Sequence, residues 1–217
     1  MSKINNQVYR LGVMGGTFDP VHFGHLLAAE RAREEFCLDE VLFVPAGRPP
    51  HKHSKAGADP WMRYRMTELA ISTNENFFLS DMEIERDGPS YTVDTVKTLL
   101  ELYRGVQIFF ITGADAFLEI NTWKSTAELL TLCSFVAVSR PGYNMDRIWK
   151  IMKAFVEHPE WHVFSLGIPS PDISSTEIRK RVREGRTIKY MLPESVIDFI
   201  AEHGLYRSYP PEEPQPG

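Results

Sequence analysis

Cysteine is scarce: the 217 residues include two, Cys37 and Cys133, far apart and with no C-x-x-C spacing. That argues against a disulfide framework or a cysteine metal site, and both are expected as free thiols. No run of about 18 uninterrupted apolar residues occurs, so no membrane-spanning helix and no membrane partner are expected. The opening MSKINNQVYRLG lacks the apolar core of a signal peptide, which makes a cytoplasmic location the expectation. Basic residues are outnumbered, 24 Lys and Arg against 29 Asp and Glu, for a net charge of −5. A general nucleic-acid binder usually carries a basic face, so no nucleic-acid partner is expected. A local basic site for a phosphorylated small molecule stays open. Two nucleotide-binding templates are also missing. G-x-G-x-x-G fails because the early glycines fall at 12, 15 and 16, and G-x-x-x-x-G-K-[ST] occurs nowhere.

What remains is ordinary globular material, 43% hydrophobic, 24% charged and 12% aromatic. Short runs rich in Val, Ile and Phe alternate with helical patterns. Strands are expected at Val8–Met14, Glu40–Val44, Phe77–Ile84, Gln107–Thr112, Ser134–Ser139 and His162–Leu166. IFFIT and FVAVS are apolar nearly throughout, as strands buried on both faces are. Helices are expected at Phe23–Phe36, at Pro60–Ser72 behind an Asp59 cap, and from Ser90 or Thr92 to about Tyr103. Others are expected from the capping-box spacing Ser125-x-x-Glu128 to Leu132, then at Asp146–Glu157, Ser175–Arg183 and Pro193–His203. This order predicts an α/β fold: a Rossmann-like, doubly wound parallel sheet with a small helical C-terminal subdomain. A single domain over residues 1–208 is expected, with 174–208 its helical part. Residues 209–217, with Pro at 210, 211, 214 and 216, read as a disordered tail. Truncation after Ser208 should leave melting temperature and activity nearly unchanged.

Two stretches carry the chemistry. The first strand runs into Gly15-Gly16-Thr17-Phe18-Asp19-Pro20-Val21-His22-Phe23-Gly24-His25 and then a helix. A glycine turn at a helix start offers backbone N–H groups to an anion. His22 and His25, three apart, share one face of the first turn. As a metal pair they lack a third ligand nearby, and an arbitrary HxxH is more often a pair of surface or capping histidines. The adjoining glycine loop shifts the balance toward a phosphate site. The second stretch is Ile173-Ser174-Ser175-Thr176-Glu177-Ile178-Arg179. It is at least a well-capped helix with a basic face. It also puts hydroxyls, N–H groups and a guanidinium at one helix end, donors suited to a polyphosphate.

GTFDPVHFGH resembles the (T/H)xGH signature of the nucleotidyltransferases related to class I aminoacyl-tRNA synthetases. ISSTEIR resembles their second signature, in the same order. The long first motif is most similar to that of the bacterial nicotinate-nucleotide adenylyltransferases, and the resemblance covers most of residues 8–207. It implies an enzyme that transfers the adenylyl group of ATP to nicotinate mononucleotide, giving deamido-NAD and pyrophosphate in NAD biosynthesis. Its catalytic residues would be His22, His25 and Arg179. ATP would be bound by Gly15, Gly16, Thr17, Phe18, Gly24, Gly113, Asp115, Ser174, Ser175, Thr176 and Arg179. Asp115 stands in a Thr112-Gly113-Ala114-Asp115 turn after a buried strand, where its carboxylate could accept from ribose hydroxyls. The acceptor would meet Arg48, His51 and Lys52 on a proline-rich loop, Ser90, Tyr91 and Thr92 at a helix start, and Trp123 with Lys124. Each has a plainer reading: HKH as solvated histidines, Ser90–Thr92 as helix caps, Trp123 as a core ring. Mg²⁺ is expected on the ATP phosphates, with no metal ligands from the protein. Partners beyond ATP and nicotinate mononucleotide are not indicated, although a homodimer is allowed. Nicotinamide mononucleotide or phosphopantetheine as acceptor stays open, as do a non-catalytic nucleotide-binding module and, more weakly, a redox enzyme.

Overall fold

The computed structural model describes residues 10–50, 57–139, 145–169 and 173–207. The strands are β1 (Arg10–Gly16), β2 (Glu40–Pro45), β3 (Phe77–Leu79), β4 (Gln107–Gly113), β5 (Ser134–Ser139) and β6 (Val163–Gly167). The helices are α1 (Phe23–Glu35), α2 (Pro60–Ile71), α3 (Met82–Glu85), α4 (Thr92–Leu102), α5 (Ala114–Phe117), α6 (Thr126–Leu132), α7 (Asp146–Met152), α8 (Ser175–Arg183) and α9 (Glu194–Glu202). The six strands form one sheet in the order β3-β2-β1-β4-β5-β6, with every pairing parallel. This is the doubly wound arrangement expected from the sequence. Its order reverses between β1 and β4, which opens a crevice at their carboxyl ends.

The alternation of the central strands explains the two layers. Leu11 and Val13 of β1, with Ile108 and Phe110 of β4, pack on the face covered by α4, α5, α6 and α7. Met14, Phe109 and Ile111 point the other way, toward α1, α2, α8 and α9. The apolar runs are thus buried on both sides, as a parallel sheet between helices requires. Each fully buried large side chain contributes roughly 1.5–3 kcal/mol. The C-terminal helices α8 and α9 do not stand apart, because Ile178, Val196 and Ile200 belong to the same apolar layer as Ala28 and Met66.

Several boundaries differ from the expectation. The run Phe77–Ile84 is strand only to Leu79. Asp81 then takes the N-cap position of α3, and only Phe77 of the strand is fully buried, as befits an edge. The pattern Asp146–Glu157 is helical only to Met152. Ser125 precedes α6 in a left-handed conformation (φ 53°) and makes no side-chain capping bond, so the spacing Ser125-x-x-Glu128 is not a working capping box. Asp59 does cap: its carboxylate accepts from Trp61 N–H at 2.9 Å. Cys37 is exposed and Cys133 is buried; both are free. Burial pushes the Cys133 thiol up to about 12, which keeps it protonated and unreactive at neutral pH. His51, Lys52, Val8 and the segment 208–217 lie outside the described residues.

Candidate active site

A cleft of about 490 Å³ lies at the carboxyl ends of β1 and β4. His22, Gly24, His25 and Ala28 from the start of α1 form one wall, and Thr112, Gly113 and Asp115 form another. Val138, Ser139, Ile168 and Ile173 close the far side with mostly apolar surface. Two of the expected catalytic residues, His22 and His25, and three of the expected ATP residues, Gly24, Gly113 and Asp115, therefore line one cavity at the topological switch point.

The histidine pair has a definite chemistry. His22 is the N-cap of α1 and is buried, and its backbone N–H donates to Nδ1 of His25 at 3.2 Å. The two rings lie 3.8 Å apart, and the Phe18 ring meets His25 edge-on at 5.1 Å. Because Nδ1 of His25 accepts a hydrogen bond, its neutral ring carries the proton on Nε2, which makes that atom a donor. Nδ1 of His22 is buried without a partner. Protonating it would strand a charge in a dry position, and desolvation lowers the His22 pKa from 6.5 to about 4. His22 is thus a neutral imidazole at physiological pH. The first-turn amides are less available than expected, since Phe23 N–H donates to Met191 O at 3.0 Å.

This burial gives a pH prediction. Above 6.5 His22 is neutral folded and unfolded, so it contributes no pH slope. Between 6.5 and 4 the unfolded chain binds a proton that the folded chain refuses. Stability should therefore fall with falling pH, by about 2 kcal/mol at pH 5 and by ~3 kcal/mol near pH 4 from this group alone. Urea titrations of the protein and of His22→Asn, which retains an N-cap side chain, would check it. The variant should show a shallower slope in that window, and equal slopes would refute the assignment.

The loop between β1 and α1 is held from several sides. Phe18 adopts φ 50° and buries its ring near Phe43, so only its backbone can face a ligand. Asp19 is buried and accepts from Ala58 N–H at 2.9 Å and from Tyr206 O–H at 2.7 Å. A side chain at Gly57 would collide with the Asp19 carboxylate, so the close approach of that segment requires glycine. Burial and the Asp19 charge push the Tyr206 hydroxyl up, and it stays a donor. The second motif docks on this loop. Ser174 caps α8 by accepting from Glu177 N–H at 3.2 Å. Ser175 donates to Pro20 O at 2.9 Å. Arg179 donates to Asp19 O at 2.7 Å, lies 3.7 Å from the Asp19 carboxylate, and reaches Thr176 Oγ1 at 3.5 Å. The structure thus brings the two motifs together, but it commits Ser174 and Ser175 to the fold rather than leaving both hydroxyls free.

Asp19 and Tyr206 were not singled out in the sequence, and Asp19 is the hub. Asp19→Ala would strip the Ala58 N–H and Tyr206 O–H of their acceptor and remove a carboxylate whose charge supports both Arg179 and Arg63. A loss of about 3 kcal/mol is expected in urea unfolding at pH 7. A loss below about 1 kcal/mol, the value of one ordinary hydrogen bond, would contradict the hub role.

On the other face of the sheet, the expected acceptor residues divide. Arg48 N–H donates to Ser90 Oγ at 3.1 Å, and Ser90 N–H donates back to Arg48 O at 2.9 Å. Ser90 is buried and latches two loops; it is not a free ligand group. Behind it, the buried Glu83 accepts from Thr95 Oγ1 at 2.5 Å. Burial pushes the Glu83 pKa up, against hydrogen bonds from Thr95 and Ser90. A side chain on Gly47 would run into the Glu83 carbonyl. Tyr91 and Thr92 stand at the start of α4, and Lys124 lies 4.6 Å over the Tyr91 ring and 3.0 Å from Asp94. Trp123 is half-buried, edge-on to Phe110 and Phe135 at 6.1 and 6.2 Å. The plainer reading of Trp123 as a core ring is thus partly right. Thr92, Tyr91, Trp123 and Lys124 nonetheless gather at one helix-end corner.

Arg63 is a third residue that the sequence did not flag, a buried guanidinium that among the described residues donates to backbone carbonyls. One signal existed: it shares the apolar face of α2 with Met66, Thr67 and Ala70, where a cation is out of place.

Comparison with known proteins agrees with this layout. The cytidylyltransferase-like family model matches residues 13–181. A protein of Desulfitobacterium hafniense named "Probable nicotinate-nucleotide adenylyltransferase" is 49% identical over 94% of this chain and 99% of its own. One of the same name from Thermoanaerobacter is 51% identical over 91% of this chain and 94% of its own. The fold matches Plasmodium falciparum nicotinic acid mononucleotide adenylyltransferase complexed with NaAD, with a TM-score of 0.75 at 23% identity, covering 91% and 97% of the two chains. With the second motif docked on the loop of the first and relatives of this identity over nearly the full length, the chain belongs to the cytidylyltransferase-like family and, within it, to the nicotinate-nucleotide adenylyltransferases.

Proposed function

We propose that this chain transfers the adenylyl group of ATP to nicotinate mononucleotide, releasing pyrophosphate and forming deamido-NAD for NAD biosynthesis. The observation that carries the reading is the His22–His25 pair on the switch-point cleft, with the ISSTEIR helix docked against the same loop. The acceptor's phosphate oxygen attacks the α-phosphorus of ATP, and the bond from that phosphorus to the β-bridging oxygen breaks. The attacking oxygen is already ionised at neutral pH, so the site needs no general base. Rate enhancement then comes from alignment and from donors aimed at the growing negative charge. His25 Nε2–H and the neutral His22 ring serve the reacting phosphates, with the backbone of Gly15, Gly16, Thr17, Phe18 and Gly24 around them. Thr176 and the remaining N–H groups of Arg179 face the leaving pyrophosphate. Gly113 and Asp115 take the ribose, and the apolar wall of Val138 and Ile168 suits the adenine.

ATP enters with its Mg²⁺. The ion would ride on the phosphate oxygens, largely through water, and would supply charge neutralisation for the leaving pyrophosphate. Arg48, with His51 and Lys52 of the undescribed stretch, meets the acceptor's phosphate. Tyr91, Thr92, Trp123 and Lys124 meet its ring. Among the described residues no helix is long and apolar enough to cross a membrane, and we place the reaction in the cytoplasm. Pyrophosphate release with ATP and each candidate acceptor in parallel tests the reading. Release is expected with nicotinate mononucleotide, and release only with phosphopantetheine would refute it. Arg179→Ala should raise the KM for ATP by roughly tenfold or more, in line with loss of a charged hydrogen bond. An effect confined to the acceptor's KM would reject its role.

A further inference from the structure

We propose that Arg63 is a positioning residue that sets the separation between the ATP loop and the acceptor loop. The β1–β2 ladder ends with Gly16 opposite Pro45, and Ala46 N–H still donates to Gly16 O at 2.8 Å. Beyond that pair the strands part, and the next carbonyls have no strand partner. The Arg63 guanidinium fills the fork. Nη1 donates to Thr17 O at 2.6 Å, and Nη2 donates to Ala46 O at 2.6 Å and Gly47 O at 3.3 Å. Nε donates to Ala58 O at 3.2 Å, which ties in the segment that also contacts Asp19.

Thr17 and Ala46 are the first residues after two adjacent parallel strands, and each begins a loop assigned to a different substrate. A planar, rigid group bonded to both carbonyls fixes their spacing in a way a flexible ammonium cannot. The residue is 3% exposed and donates to four backbone carbonyls on three separate segments, with the Asp19 charge supporting the buried guanidinium. Thr67, one turn further on, donates to Arg63 O at 2.8 Å within the same helix. In-line transfer between two bound substrates depends on their separation, and a misplacement of about 1 Å can cost roughly a hundredfold in rate.

The inference rests on the assignment of these two loops to ATP and to nicotinate mononucleotide. The test uses the full chain as Arg63→Lys and Arg63→Gln, assayed well below each melting temperature. Binding of each substrate alone is measured by calorimetry beside steady-state kinetics. The expected result is a kcat lowered by roughly tenfold or more, with each single-substrate Kd changed by less than about threefold, because each loop still holds its own ligand. The Lys variant should fall short of wild type even where it matches its thermal stability. A folded variant with unchanged kcat overturns the proposal, as does a loss that appears entirely in the Kd of one substrate. If neither variant is folded at the assay temperature, Arg63 is a determinant of the fold and the proposal is likewise overturned. Failure of wild type to turn over ATP with nicotinate mononucleotide would instead overturn the loop assignment itself.

Discussion

His25→Ala is expected to lower kcat by roughly a hundredfold or more, about 3 kcal/mol of transition-state stabilisation, while the protein stays folded. The geometry supplies the reason. The ring is fixed before any ligand arrives: Nδ1 accepts the His22 amide at 3.2 Å, one face lies against the His22 ring, and Phe18 meets its edge. Nε2–H is then a donor that needs no reorientation when charge grows on the α-phosphoryl oxygens. Removing it takes away a preorganised hydrogen bond made most strongly in the transition state, so kcat should fall more than KM for ATP rises. The substitution also removes a partner of the α1 N-terminus, worth about 1 kcal/mol of stability. His25→Asn separates the two effects, because its side-chain oxygen can still accept the His22 amide. Stability near wild type with kcat still far reduced is the expected pattern. Near-normal kcat in folded His25→Ala would contradict the role.

The second large effect is selectivity for the acid over the amide. Nicotinate and nicotinamide mononucleotide have nearly the same shape, so an apolar pocket would hardly separate them. A carboxylate only accepts hydrogen bonds, whereas an amide also donates, so N–H donors reject the amide's NH₂. The corner formed by the starts of α4 and α6 offers first-turn N–H groups as such donors, with Thr92 opening one helix and Lys124 to Thr126 leading into the other, while Trp123 N–H is spent on Ile120 O at 3.1 Å. Lys124 adds a positive charge beside them, although its ion pair with Asp94 tempers it. Unpaired polar groups of this kind cost a few kcal/mol, and discrimination of about a hundredfold in kcat/KM is expected. Steady-state kinetics with both mononucleotides would check it. Comparable values would reject the pocket argument. Trp123→Ala should raise the acceptor's KM for both forms, since stacking does not read the carboxylate.

The sheet was legible because its central strands are apolar on both faces, and helix starts were legible where the cap is local, as at Asp59–Pro60 and Ser174. The sequence misled where a local pattern has two outcomes. Phe77–Ile84 reads as one strand, yet beyond Leu79 the chain turns at Asp81 into a short helix that delivers Glu83 to Thr95. Ser125 has capping spacing but spends its backbone on a left-handed turn. The two motifs of the site were readable from the glycine turn, the histidine pair and the capped basic helix, together with their resemblance to a known family's signatures. What supports them was not, because Asp19, Arg63 and Tyr206 act across long sequence separations that no local periodicity records. The same holds for Ser90, whose hydroxyl meets the Arg48 amide in place of solvent or ligand.

The most direct measurement follows the phosphorus atoms of ATP in a single reaction with nicotinate mononucleotide. With label on the α-phosphorus, adenylyl transfer places all transferred label in deamido-NAD. With label on the γ-phosphorus, it places all released label in pyrophosphate. Label from the γ-position on the mononucleotide, or α-label found only in ATP and ADP, would contradict adenylyl transfer.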